Sequence, residues 1–400
     1  MAERASRGSG SGQALSRAGW INLALLWLGG FDLRVTLLAV PPVIPYIHRD
    51  LGLDEKGVSL LIGLPVLLLA AAAVPGALLI ARLGARRALI TGLLAIALGS
   101  MVRGAGPSVI VLFSATLLMG IGVAVSQPAF PTLSSEWFPL RVGVATAVYS
   151  NGMLVGETVP ASLTGPLLLP ALHGSWPLSF AFWSLPVVLA AILLARLTWQ
   201  RLPDPRLPRR WWPDFRNRRL WQLGLVMGCV SAAYFGSNAF IPDFVRATGR
   251  PQLKDAALAA INVCQLPASL VVLAMPRRLI TRRWPLLLAS LLVSAGLVLM
   301  VVTPGAWIVA WAGLIGFAAA LTMVLTLAVA PLLAEDPGDV HRFSAGIFLI
   351  VYSFSFAGPL VAGAVWDATR TPAFGFLALA AGGVLVTGLG ASLAIRPVHG

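Results

Sequence analysis

The sequence predicts an all-α polytopic membrane protein: twelve transmembrane helices arranged as two pseudo-symmetric six-helix halves. Three observations predict this: hydrophobic excess, the recurrence of long apolar runs, and short motifs that repeat on either side of a basic, proline-rich centre. Of the 400 residues, 58% are hydrophobic and 11% charged, with a mean hydropathy of +0.86. A soluble domain is nearer a quarter charged. Apolar runs of about 18 residues or more are long enough to cross a hydrocarbon core of about 30 Å. They must do so as helices, because lipid offers no partner to an open backbone N–H or C=O.

Taken in order, residues 1–19 form a polar tail carrying Arg4, Arg7 and Arg17, expected to be cytoplasmic. The run that follows is too long for the core of a signal peptide and reads as an uncleaved first span. Helices are expected at 20–46, 58–81, 87–104, 108–132, 142–168 and 176–199, which make up an amino-terminal half over 20–199. Residues 200–219 hold Pro203, Pro205, Pro208 and Pro213 among seven arginines, the composition of a stiff linker lying at the headgroup surface. Helices at 220–246, 255–275, 284–303, 306–333, 343–366 and 372–395 complete a second half over 220–400. Proline and glycine inside these runs are tolerable where neighbouring helices satisfy the backbone.

The halves echo each other. Arg82-Leu83-Gly84-Ala85-Arg86-Arg87 after the second run matches Arg278-Leu279-Ile280-Thr281-Arg282-Arg283 after the eighth. Val148-Tyr149-Ser150 in the fifth recurs as Val351-Tyr352-Ser353 in the eleventh, with Gly143 and Gly346 at the same offset. A parallel duplication of this kind brings a substrate between the halves near the midplane.

The net charge of +14 is not a nucleic-acid footprint. Most of the basic residues fall in the two tails and the even-numbered connections, the positive-inside pattern that puts both termini in the cytoplasm. Cys229 and Cys264 lie in apolar runs and read as small buried hydrophobes. His48, His173, His341 and His399 fall in loops or tails, and no nucleophile–base pair, metal spacing or phosphate loop is evident. An enzyme is not expected, nor a cofactor.

Chemistry concentrates where charge is expensive. Asp32 and Arg34 lie in the middle of the first apolar run and Glu157 deep in the fifth. An ionisable residue in a span normally faces a partner or a watery pathway. Counted from Arg17 and Arg141, Arg34 and Glu157 both lie roughly 25 Å into the membrane at 1.5 Å per residue, level with each other. Residues two apart on a helix point in different directions, so Asp32 and Arg34 need separate partners. Arg34 is expected to face a central cavity, paired with Glu157 or with an anionic substrate; a fixed Arg34–Glu157 pair that only sets helix packing is the competing reading. A guanidinium suits a planar anion through two parallel hydrogen bonds, and a desolvated Asp32 or Glu157 could couple transport to protons.

Gln127, Asn151, Tyr234, Asn238, Asn262 and Gln265 fall at cavity depth and are expected to bind either substrate or neighbouring helices. Arg103, at the outer end of the third run, is a candidate for guiding anions inward, or a snorkelling helix end. Asp243, Asp255 and Asp367 sit at run ends as solvated or capping groups.

Twelve spans with a basic centre resemble the major facilitator superfamily. Its signature between spans two and three, Gly-x-x-x-Asp-Arg-x-Gly-Arg-Arg, is matched here by Arg82, Gly84 and Arg86, with Ala77, Ala81 and Ala85 departing from it. The resemblance implies that Arg82, Gly84 and Arg86 belong to a conformational loop. Within the superfamily the whole chain is similar to the cyanate transporter group, which includes a 2-nitroimidazole exporter. The similarity rests on Leu33-Arg34, Met101-Val102-Arg103, Gly120-Ile121-Gly122 with Gln127 and Pro131, Trp183-Ser184-Leu185-Pro186, and Gly358-Pro359-Leu360. It implies a secondary transporter of a small anion or weakly acidic molecule in a bacterial inner membrane, working as a monomer by alternating access. Export of nitroimidazole-like drugs is the alternative within transport; a receptor that binds without moving its ligand and a lipid flippase are alternatives from other classes.

Overall fold

The computed structural model describes residues 16–53, 55–105, 108–197, 210–280, 282–303, 305–334, 336 and 339–390. Among them every predicted run is helical and no strand occurs. Nine helices are long and apolar enough to cross a membrane, a bent pair makes a tenth, and Pro372–Gly388 is a shorter apolar helix. The remaining run, Val142–Leu163, is helical too but carries Asn151, Glu157 and several hydroxyls.

Span 1 is Arg17–Leu38, opened by the Ser16 hydroxyl accepting from Gly19 N. Pro41 and Pro42 end it, and the chain continues as a single turn and the helix Ile44–Leu51. Span 2 is Glu55–Ala71 with Ala73–Leu83, bent by 52°. Pro75 explains the bend: it has no N–H for the Ala71 carbonyl, four residues back. Span 3 is Ala85–Val102. Span 4 is Val109–Ser126 with Ala129–Trp137, interrupted at Gln127–Pro128. Span 5 is Val142–Leu163, ending in a wide turn at Thr164–Leu168, and span 6 is Trp176–Leu197.

Spans 7 to 12 are Arg218–Ala247, Lys254–Val263 with Leu266–Ala274, Arg283–Val302, Trp307–Leu333, Val340–Thr369 and Pro372–Gly390. Span 8 is interrupted at Cys264–Gln265, where Pro267 cannot donate to Val263. Residues 1–15 of the expected polar tail and 200–209 of the expected linker lie outside the described residues.

Two packing features position the site. Spans 1 and 5 touch backbone to backbone: a Cβ on Gly30 would lie 2.2 Å from the Tyr149 carbonyl oxygen, on Gly152 2.1 Å from that of Trp27, and on Gly156 2.3 Å from that of Phe31. Only glycine allows that approach. The second feature is at the end of the bundle bearing Arg17, Arg86, Arg141 and Arg282, the basic end. There the first six spans meet the last six. Ala147 of span 5 joins an apolar cluster with Val272 and Ile280, and Gly143 abuts Ile280. Span 5 packs on the Leu266–Ala274 part of span 8, and span 11 on the Ala129–Trp137 part of span 4 and along both parts of span 2, so that the contact also reaches Glu55–Ala71, away from the basic end. A cavity of about 260 Å³, lined by Arg141, Val144, Val272 and Met275 among others, remains at the basic end.

Candidate substrate site

Arg34 is 7% exposed. Its Nε lies 3.4 Å from Glu157 Oε1, and its Nη2 donates to the Tyr352 hydroxyl at 3.2 Å. The glycine contact between spans 1 and 5 brings the arginine and glutamate level; span 11 supplies the tyrosine. Gln127, at the interruption of span 4, also donates through Nε2 to the Tyr352 hydroxyl. The Tyr352 ring stacks on Phe348 with centroids 6.1 Å apart. Gln127 Oε1 is buried with no hydrogen-bond partner among the described residues, and an orphaned buried acceptor costs about 1–3 kcal/mol.

Asn151 accepts from the Trp27 indole at 2.9 Å and donates to the Ser269 hydroxyl at 3.0 Å, so it ties span 5 to span 8 on the basic side of Arg34. The other four predicted polar residues form one network. Tyr234 donates to Asn262 Oδ1 at 2.6 Å and accepts from Gln265 Nε2 at 2.9 Å; Asn262 Nδ2 donates to Asn238 Oδ1 at 3.1 Å. Tyr234 also lies close enough to Arg34 and Glu157 to feel their charge. The site therefore has a charged wall from the first six spans and a neutral amide–phenol wall from the last six.

Asp32 is elsewhere. It is fully buried, and neither carboxylate oxygen has a hydrogen-bond partner among the described residues. The structure thus separates it from Arg34 and Glu157. Arg103 is not at an open mouth: it is 0% exposed, donates to the Thr36 carbonyl at 3.0 Å and to Met119 Sδ at 2.9 Å, and lies 4.3 Å over the Phe180 ring. That burial argues against guiding anions from solution, as well as against a snorkelling end.

In the predicted loop, Gly84 has φ of +81°, a conformation other residues adopt only with strain. Arg86 donates to the carbonyls of Leu194 and Ala195 at 2.8–3.1 Å, binding the carboxyl end of span 6, where a cation also suits the helix dipole. Arg82 is exposed. At the opposite end, Asp50 accepts from Arg49 Nε at 2.8 Å and from the Trp176 indole at 2.9 Å, and these bonds, Arg49 first, hold its carboxyl below the usual range.

Sequence reasoning missed Tyr352 and Ser269 as site residues. Tyr352 was visible as half of the Val-Tyr-Ser repeat, a signal for duplication but not for contact. A serine in an apolar span carries no signal.

The model of the Major Facilitator Superfamily matches residues 26–359. The chain belongs to the major facilitator superfamily. Its relatives in that family include the cyanate transport protein CynX of Escherichia coli, 28% identical over 340 residues that cover 82% of this chain and 86% of the relative. The 2-nitroimidazole transporter of the same organism is 25% identical, covering 84% and 86%. An uncharacterised transporter of Bacillus subtilis, YycB, is 22% identical over 88% of each. Among solved structures, the human organic anion transporter MFSD10 superposes with a TM-score of 0.75 at 16% identity, over 94% of this chain and all of the other. FucP in its outward conformation gives 0.72 at 14% identity, over 94% and 99%. These structures share the fold. This superfamily member is a multi-pass membrane transporter of small molecules, not an enzyme.

Proposed function

We propose that the protein is a secondary active transporter, cyanate-transporter-like, for a small anion or weakly acidic molecule bound at Arg34. The observation that carries this reading is a guanidinium buried at mid-span, held by one carboxylate of its own six-helix set and one hydroxyl of the other. The ion pair holds Arg34 ready: an incoming anion replaces Glu157, and the released carboxyl takes up a proton. Asp32 is the second candidate for proton coupling. The names of two relatives, for cyanate and for 2-nitroimidazole, support a small anionic or weakly acidic substrate, and the neutral amide wall favours keeping nitroimidazole-like export as the alternative.

The two units are residues 20–199 and 220–400, joined by a cytoplasmic linker at 200–219. They rock about the site within a monomer in a bacterial inner membrane, with both termini cytoplasmic. The contacts at the basic end then hold the two units together on the cytoplasmic side of the site.

The test is thermal stabilisation of the purified protein by a panel of small anions and nitroheterocycles, with Arg34→Ala alongside. A binder raises the melting temperature by mass action. A hit lost in the variant supports the reading; a hit retained there makes Arg34 structural. Proton coupling is tested separately, by uptake into liposomes with and without an imposed pH gradient.

A further inference from the structure

Three hydrogen-bonding groups around the Tyr352 oxygen are unused among the described residues. That oxygen accepts from Arg34 Nη2 and from Gln127 Nε2, so its own O–H points away from both, and no described group accepts it. Arg34 Nε faces Glu157 Oε1 at 3.4 Å in an ion pair without a hydrogen bond, and Nη2 donates to Tyr352, which leaves Nη1 with no described partner of either kind. Gln127 uses Nε2 and leaves Oε1, buried and without a partner. Two donors and one acceptor are thus tied to one hub, drawn from spans 1, 4 and 11, inside side chains that are each more than nine-tenths buried.

We propose that these groups form one ligand subsite and that it selects a planar molecule carrying an N–H donor beside a charged or strongly polar oxygen. The inference rests on reading Arg34 as the substrate site and narrows the substrate class. The ligand oxygen takes Arg34 Nη1 and the Tyr352 O–H; the ligand N–H meets Gln127 Oε1. A ligand with acceptors only fills the first two positions and turns its lone pairs toward the glutamine oxygen, leaving that acceptor unpaired. A site built around a buried polar partner rejects the analogue that lacks the matching group far more strongly than an apolar pocket rejects a missing methylene. N–H azoles bearing a nitro or carboxylate group fit; a linear anion such as cyanate does not.

The experiment uses the full-length protein in detergent, with calorimetric titration of cyanate, 2-nitroimidazole, imidazole-2-carboxylate and the N-methyl forms of both azoles. Expected is binding of at least one N–H azole about 10–100-fold tighter than its N-methyl form and than cyanate. Gln127→Met should narrow that gap to within about 3-fold while binding still depends on Arg34. If Gln127→Met does not fold, the N–H and N-methyl pairs on the unaltered protein decide alone. Equal binding of an N–H azole and its N-methyl form, or tighter binding of cyanate, overturns the proposal; Arg34→Ala abolishing that binding would leave the Arg34 site standing. Binding unchanged in Arg34→Ala overturns both readings. Failure of both N–H azoles to bind overturns this one.

Discussion

Glu157→Gln separates a working ion pair from a packing pair. The substitution keeps the shape of the side chain and removes the charge that lies 3.4 Å from Arg34 Nε. At an effective dielectric of about 20, two unit charges at that separation attract by about 5 kcal/mol. Desolvation of both groups offsets most of that, and Glu157 is 21% exposed, so water screens part of the remainder. A net attraction of about 1–2 kcal/mol is left for an anionic ligand to overcome. Neutralising the competitor should therefore tighten anion binding about 5–30-fold.

Arg34→Ala acts in the opposite direction. It strands Glu157 and removes the donor to Tyr352. Breaking a fully buried pair costs about 3–5 kcal/mol, so with a partly exposed glutamate a loss of about 2–3 kcal/mol of stability is expected, together with loss of anion binding. Calorimetric titration at fixed pH reads the affinities and thermal unfolding in the same detergent reads the stabilities. If Glu157→Gln weakened anion binding as Arg34→Ala does, the competition argument would be wrong, and Glu157 would either touch the ligand or serve only to hold Arg34 in place.

Ser269→Ala removes the hydrogen bond from Asn151 that joins spans 5 and 8. Such bonds in membranes average about 0.6 kcal/mol, so the balance should move about 3-fold toward opening at the basic end. The labelling rate of a cysteine placed at Val144 reads this, and an unchanged rate would discount the bond. Gly156→Val should abolish folding, since its Cβ would lie 2.3 Å from the Phe31 carbonyl oxygen and neither backbone can yield; a monodisperse, folded variant by size-exclusion chromatography would contradict the close approach. Asp50 titrates below its ordinary 3.8 because Arg49 and Trp176 hydrogen-bond the ionised form. Its contribution is therefore present above pH 3.8 and lost as pH falls through the folded value. The melting temperatures of the wild type and Asp50→Asn should thus differ at pH 6 and draw together as the pH falls below 3.8, and a gap that widens on acidification would reverse the sign.

Arg34 and Glu157 were legible because hydrocarbon makes an idle charge costly, and because helix rise from two arginine markers puts them at one depth. Their contact needed one further fact, the rotation of spans 1 and 5, and Gly30, Gly152 and Gly156 set that rotation through close approaches that no periodicity encodes. Asp32 was legible as needing a partner apart from Arg34, but not as a carboxylate with no hydrogen-bond partner among the described residues. Its two-residue offset from Arg34 turns it to another face of the helix. The amide network was legible as a set of polar residues at one level but not as a network, since each member could as well have bonded its own helix. Tyr352 escaped because a tyrosine in an apolar span is usually a core residue whose hydroxyl finds any nearby acceptor. The interruptions at Gln127–Pro128 and Cys264–Gln265 fell inside runs read as continuous helices. Both place a polar side chain where the helical ladder is already broken.

The distribution of charge bears on how the molecule changes state. Arg34 and Glu157 both belong to the first six spans, on two helices locked together by backbone contact. A rigid rocking of one six-helix set against the other leaves that ion pair intact. The hydrogen bonds between the sets that must break include, among the described residues, Arg34 to Tyr352, Gln127 to Tyr352 and Asn151 to Ser269. Two of these join neutral groups and the third has one charged partner, so each is worth about 0.6–2 kcal/mol in a membrane. Had the carboxylate partner of Arg34 been on span 11, each transition would have torn a buried ion pair at about 3–5 kcal/mol. Keeping opposite charges within one rigid set and presenting amides and phenols from the other lowers the barrier to rocking. It also lets a substrate anion at Arg34 serve as a charge on which both sets close.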